Sequence, residues 1–255
     1  MAAPAAKRDR AFPPLTIRRL PGRWSTVREA IGPQWSLESA SGGGLRSRQQ
    51  HPDAGDVTFT PPMARIIVTE FISLDGVVED PGGSEDFKYG GWSFEIERGA
   101  EGDMFKLDET MDSDALLAGR VTYEGFAVAW PSRDGEFADR FNSMPKYVVS
   151  STLQEPGWNN STVLKGDVVQ EVSKLRQEQD GNIVVHGSAQ LVQTLLEHDL
   201  VDELRLMVFP VVLGAGKRLF GDTSDKKRLR LTDSKRVGDG VDILIYEPAG
   251  KEAAS

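Results

Sequence analysis

Asn182-Ile-Val-Val-His186-Gly187-Ser188-Ala189-Gln190 is the stretch that decides the fold. Asn182–His186 is β-branched and of strand length. Ala189–His198 then places Leu191, Val192, Leu195 and Leu196 on one helical face. Between them stand only Gly187 and Ser188. A strand that feeds a helix through two small residues is half of a parallel strand–helix–strand unit. The same turn aims unpaired N–H groups and the positive end of a helix dipole outward, an arrangement that suits a phosphate. An ordinary turn that needs small side chains for packing has the same residues, and the stretch is not a full GxGxxG fingerprint. Both readings stand at this point.

Working back from this stretch, the pattern repeats. Asp167–Gln179 reads as a helix with Val168, Val169, Val172 and Leu175 inward, closed by Gly181. Thr162–Leu164 and Lys146–Ser150 read as strands, and Phe137–Met144 as a short helix. Ala115–Ala118 is a strand running into Gly119-Arg120, after which Thr122 is expected to cap a helix stopped at Trp130-Pro131. Apolar positions between Phe94 and Met111 predict one helix with an acidic outer face. Arg65–Ser73 predicts a strand ended by Asp75-Gly76. Working forward, Leu204–Phe209 is a strand, and Arg228–Arg236 and Val241–Tyr246 flank Gly238-Asp-Gly240, a hairpin signal. Strands alternating with helices predict an α/β fold: a mostly parallel sheet with helices on both faces and an antiparallel hairpin at the C-terminal end.

Composition narrows the function classes. The chain has 255 residues and no Cys, which excludes disulfides, thiolate zinc sites and a cysteine nucleophile. Its net charge of −9 argues against general nucleic-acid binding. No apolar run approaches the ~18 residues of a membrane span, so a cytoplasmic setting is expected. The charge is unevenly divided. Residues 1–62 carry nine basic and five acidic side chains, +4, which leaves −13 for residues 63–255. That leading segment also holds 14 Gly or Pro and no periodic apolar face, so a disordered extension is expected there. An organellar leader, a regulatory tail and an over-long reading frame with Met63 as the working start remain open for it. The three histidines, His51, His186 and His198, have no ligand spacing, so no metal is expected. No GxSxG elbow is present, and Gly214-Ala-Gly216 is not followed by a Walker lysine.

In open α/β sheets ligands bind at the carboxyl ends of strands. That rule selects Gly187, Ser188, Ala189 and Gln190; then Gly119, Arg120 and Thr122; then Ser150 and Ser151. Gly119 lets a ligand approach the backbone, and Arg120 offers a planar fork for a phosphate. The alternatives are a surface ion pair for Arg120 and plain turn chemistry for the serines.

Over residues 64–247 these motifs resemble the dihydrofolate reductase superfamily. The nearest likeness is to the reductase domain of the bacterial bifunctional riboflavin-biosynthesis deaminase-reductase. The resemblance rests on Ile72-Ser-Leu-Asp-Gly76, Leu117-Ala-Gly-Arg-Val-Thr-Tyr-Glu124, Val148-Val-Ser-Ser151 and His186-Gly-Ser-Ala-Gln-Leu191. It rests most on Leu200-Val-Asp-Glu-Leu-Arg-Leu206 followed by Pro210-Val-Val-Leu-Gly-Ala-Gly216 and Leu219-Phe220. It implies a dihydrofolate-reductase-like fold and an NADPH-dependent reductase of a pterin, pyrimidine or ribosylamino-pyrimidine. By carry-over, Gly119, Arg120 and Thr122 hold the adenosine phosphates, and Ser150 and Ser151 lie beside the adenosine. Gly187, Ser188, Ala189 and Gln190 cradle the diphosphate. Ser73, Asp75 and Gly76 lie near nicotinamide and substrate. Asp103 is the implied catalytic carboxylate, with Glu97 and Asp108 in competition. The deaminase half needs cysteines that this chain lacks, so a stand-alone reductase is expected, with a homodimer as candidate assembly. The alternatives are a nucleotide-binding sensor that has lost turnover and a purely structural protein.

Overall fold

The computed structural model describes residues 63–250. The proposed N-terminal extension lies outside them. Eight strands and five helices follow in order: β1 (Arg65–Ser73), α1 (Gly99–Met111), β2 (Ala115–Gly119), α2 (Arg120–Ala129), α3 (Glu136–Ser143), β3 (Lys146–Val149), β4 (Ser161–Leu164), α4 (Val168–Glu178), β5 (Asn182–His186), α5 (Ala189–Glu197), β6 (Glu203–Phe209), β7 (Leu229–Val237) and β8 (Val241–Pro248). They form one sheet in the order β4-β3-β2-β5-β1-β6-β8-β7. The six strands from β4 to β6 pair in parallel, and β8 runs antiparallel to both β6 and β7. The α/β class, the helices on both faces and the closing hairpin are as the sequence predicts.

Strand alternation sorts the two faces. Ala115 and Leu117 of β2 point to the face that also holds Ile66, Val68, Ile183 and Val185, covered by Val172 and Leu175 of α4 and by Leu191, Val192 and Leu195 of α5. Leu116 and Ala118 point to the other face, beneath Tyr123 of α2 and Phe141 of α3. There α1 sets Phe105 against the cluster of Met207 and Phe209, beside Phe71. Because both faces are covered, the central strands carry apolar residues at consecutive positions, as in Ile66-Ile67-Val68 and Ile183-Val184-Val185, rather than only at alternate ones.

This division has a topological consequence. The crossovers from β1 to β2 and from β2 to β3 use the α1–α3 face, and those from β4 to β5 and from β5 to β6 use the α4–α5 face. The hand of the crossover is fixed, so the direction of winding reverses between β2 and β5, which are neighbours. A crevice opens at their carboxyl ends, where α2 and α5 leave to opposite faces.

Two local expectations are corrected. The stretch from Phe94 to Met111 is not one helix: a 3-10 turn spans Trp92–Phe94, and α1 begins only at Gly99. Gly99 has φ +64°, which a right-handed helix cannot carry through, and it abuts Gly238 in the β7–β8 turn. The apolar face fails as well. Phe94 and Met111 are exposed, while Lys106 and Glu109 are buried. Thr122 is not a cap: α2 starts at Arg120, so Thr122 lies inside the first turn.

Candidate functional site

The crevice between β2 and β5 brings together residues distant in sequence. Gly119 donates its backbone N–H to Ser188 Oγ at 2.8 Å. Ser188 Oγ donates in turn to Thr122 Oγ1 at 2.8 Å. Close approach explains both glycines. A Cβ on Gly119 would stand 2.9 Å from Ser188 Oγ, and one on Gly187 would stand 3.3 Å from the Thr122 side chain. Gly187 and Ser188 are both left-handed, with φ +69° and +68°. For serine that conformation costs energy, and the two hydrogen bonds of its hydroxyl offset the cost.

Neither α2 nor α5 has a side-chain cap among the described residues. Their first N–H groups therefore point into the crevice without a protein side chain to accept from them, and both helix dipoles present positive ends there. The hydroxyl of Ser188, the N-cap residue of α5, is bonded instead to Thr122 in the first turn of α2. This arrangement suits a ligand with more than one anionic group, such as a dinucleotide diphosphate.

The other expected residues take varied positions. Arg120 is exposed at the start of α2 and is paired with Glu124 one turn on, at 2.8 Å. Gln190 lies exposed in the first turn of α5, next to partly buried Ala189. Ser150 follows β3, beside β2 in the sheet, and is buried. Its Oγ accepts from the N–H groups of Thr152 and Leu153 at 3.2 and 2.9 Å, while Ser151 is exposed.

Ser73, Asp75 and Gly76 form a tied turn at the end of β1. Ser73 Oγ donates to Asp75 Oδ1 at 2.7 Å and accepts from the N–H of Val77 at 2.9 Å. The Asp75 carboxylate also accepts from the N–H groups of Leu213 and Gly214 at 3.1 and 2.9 Å. The hydrogen bond from Ser73, then those from the two amides, hold its pKa down at about 2 against the opposing effect of burial. These side chains fasten the turn to the loop after β6, and Gly76 supplies the φ of +83° that the turn requires.

Asp103 stands apart from this crevice. It is half-exposed on the first turns of α1 and paired with Arg98 at 2.6 Å, and the Arg98 guanidinium lies 5.1 Å over the Phe71 ring. Asp108 is exposed, and burial alone raises its pKa.

Two buried polar groups, Lys106 and Glu70, were not singled out in the sequence, and His186 was weighed there only as a histidine without ligand spacing. Lys106 donates to Thr69 Oγ1 at 2.9 Å and pairs with Glu109 at 2.6 Å, against the sheet. His186 is level with Thr69. Its Nε2 is buried with no hydrogen-bond partner among the described residues, and burial, then Lys106 and Arg205, push its pKa well down, so the ring is neutral. Glu70 is buried in β1, and its Oε1 has no hydrogen-bond partner among the described residues. A signal for Glu70 existed: it is an acid amid the apolar residues Ile66, Val68 and Ile72 at spacing two.

Among the described residues no group of side chains is arranged to hold a metal, and no helix is long and apolar enough to cross a membrane.

A family model described as the RibD C-terminal domain matches residues 64–243. The Bacillus subtilis (strain 168) protein called Uncharacterized protein YyaP is 29% identical over 187 residues, which is 71% of this chain and 94% of that protein. The crystal structure of a putative riboflavin biosynthesis protein from Shewanella sp. PV-4 superposes with a TM-score of 0.59 at 25% identity, covering 73% of this chain and 99% of that one. A pyrimidine reductase-like protein from Corynebacterium diphtheriae NCTC superposes with a TM-score of 0.52, covering 74% and 93%; at 12% identity this is a likeness of fold.

Proposed function

The chain belongs to the RibD C-terminal domain family, a family of reductases, and we propose that it is an NADPH-dependent reductase of a pterin, a pyrimidine or a ribosylamino-pyrimidine. The observation that carries the cofactor assignment is the Gly119–Ser188–Thr122 contact. It draws two uncapped helix starts together at the point where the sheet reverses its winding. In this reading Gly187, Ser188, Ala189 and Gln190 take the diphosphate on backbone N–H groups. Gly119 and Thr122 border the adenosine phosphates, Arg120 reaches the 2′-phosphate, and Ser150 and Ser151 flank the adenosine. Bound there, the reduced nicotinamide would supply hydride, and the work left to the protein is orientation and exclusion of water.

Ser73, Asp75 and Gly76 serve the substrate side by fixing the turn that ends β1. Asp103 is the proposed proton-handling carboxylate on that side. Its Oδ1 is paired with Arg98 at 2.6 Å. The closed pair is also what favours a second reading, a nucleotide-binding sensor without turnover. The likeness to the putative riboflavin biosynthesis protein of Shewanella supports the substrate class. A cytoplasmic location fits a pyridine-nucleotide reductase and belongs to the same proposal.

Purified full-length protein with NADPH and a panel of dihydrofolate and aminopyrimidine substrates tests this reading. Loss of the reduced-nicotinamide absorbance with one panel member is the expected result. Tight NADPH binding without oxidation across the panel supports the sensor instead, and absence of NADPH binding removes both.

A further inference from the structure

Glu70 lies in the middle of β1, on the α4–α5 side of the sheet between Val68 and Ile72. The parallel register pairs Thr69 with His186, so Glu70 is level with Gly187, the first residue of the crevice turn. It is 5% exposed, and its Oε1 has no hydrogen-bond partner among the described residues. An acid buried in this way, amid aliphatic side chains, is costly unless it has a function or a proton.

The groups around it are these. α5 covers the same face with Leu191, Val192 and Leu195. Burial pushes the pKa of Glu70 up to about 8, outweighing Lys106 of α1 and the Gly187 amide in the turn after β5, which lower it, while Glu109 of α1 raises it further. On the opposite face, His186 and Arg205 occupy the positions in register with Thr69.

We propose that Glu70 is a positioning residue for the Gly187–Ser188 turn: as the neutral acid it leaves the turn's amides to the cofactor's diphosphate, and as a carboxylate it opposes that anion, so cofactor binding is linked to one proton. The proposal rests on the NADPH reading. Its physics is simple. A carboxylate beneath the turn draws on the same N–H groups that a diphosphate uses from outside. Two negative charges on opposite sides of one turn repel strongly where water is excluded. Ionised protein must therefore take up a proton as it binds, and affinity falls as pH rises through the Glu70 value in the free protein.

The test is the NADPH dissociation constant of the full chain between pH 7 and 9.5, for wild type and Glu70→Gln. The phosphates of NADPH are already ionised in that range. Other groups also titrate there, Lys146 among them at about 8, and the variant separates their effect. Wild type is expected to weaken by up to about tenfold per pH unit above the Glu70 value. Glu70→Gln is expected to bind as wild type does at pH 7 and to lack the part of the decline that Glu70 causes above it. Should Glu70→Gln fail to fold, calorimetric titration of wild type in buffers of different ionisation enthalpy counts the proton directly. Uptake approaching one proton at pH 9 is expected. Binding of wild type with no uptake, or equal pH profiles for the two proteins, overturns the role of Glu70 and leaves the reductase reading intact. No NADPH binding at any pH overturns both.

Discussion

Single side chains at the ends of the strands divide into those that hold the turns and those left to meet a ligand. Asp75 belongs to the first group, since its carboxylate accepts from Ser73, Leu213 and Gly214. Asp75→Ala is expected to lower the unfolding free energy by about 1–2 kcal/mol at pH 7, through the amides left without an acceptor. Chemical denaturation measures it. The pKa of Asp75 is lowered on folding, from 3.8 to about 2. Its contribution is therefore complete above 3.8 and is lost as the pH falls through 2. Arg120 belongs to the second group. Arg120→Ala should weaken NADPH binding by roughly tenfold and leave NADH binding nearly unchanged, at the low end of a charge-assisted phosphate contact because Glu124 already holds the guanidinium. Glu70 has the opposite linkage to Asp75. Its folded pKa is raised, from 4.5 to about 8, so its contribution is full below 4.5 and is lost as the pH rises through 8. Below pH 7 the buried neutral His186 has the opposite slope, so the effect of Glu70 is read between pH 7 and pH 8, where the unfolding free energy of wild type is expected to fall and that of Glu70→Gln is expected not to.

At the scale of elements, β2–α2 and β5–α5 are one device built twice and locked by Ser188. A methyl group on Gly119 would come 2.9 Å from Ser188 Oγ, although the Gly119 backbone, at φ −77°, tolerates any residue. Gly119→Ala should therefore keep its fold but lose the Ser188 contacts and most NADPH affinity, by equilibrium titration. The parallel strands were legible in the sequence as short, largely apolar runs bounded by turn residues, and β7, which is mostly polar, through the Gly238-Asp-Gly240 hairpin signal; Arg65–Ser73 and Asn182–His186 match residue for residue. α4 was legible because Asp167 caps it, accepting from the Gln170 N–H at 3.0 Å, and because its apolar stripe has one face to cover. α1 was not. Its buried positions include Lys106 and Glu109, an ion pair in which Lys106 also donates to Thr69, so no apolar period marks the inward face. Thr122 was misread as a cap because its partner, Ser188, is 66 residues away. Contacts of that kind follow from the strand order, which local pattern does not specify.

At the scale of the molecule, the reversal of winding between β2 and β5 is what makes the separate motifs one site. The sequence placed Gly119, Arg120 and Thr122 and the Gly187–Gln190 segment at strand ends. The sheet order makes those ends adjacent and sends α2 and α5 to opposite faces. The candidate site therefore follows from topology as much as from residue type, and its central claim is that this crevice takes a phosphorylated dinucleotide. The most direct measurement is equilibrium titration of the full chain with NADPH and with NADH at pH 7. The account predicts saturable one-to-one binding of NADPH, tighter than that of NADH, and its loss in Gly119→Ala. Equal affinity for NADPH in wild type and Gly119→Ala, or no binding of either nucleotide, would contradict it.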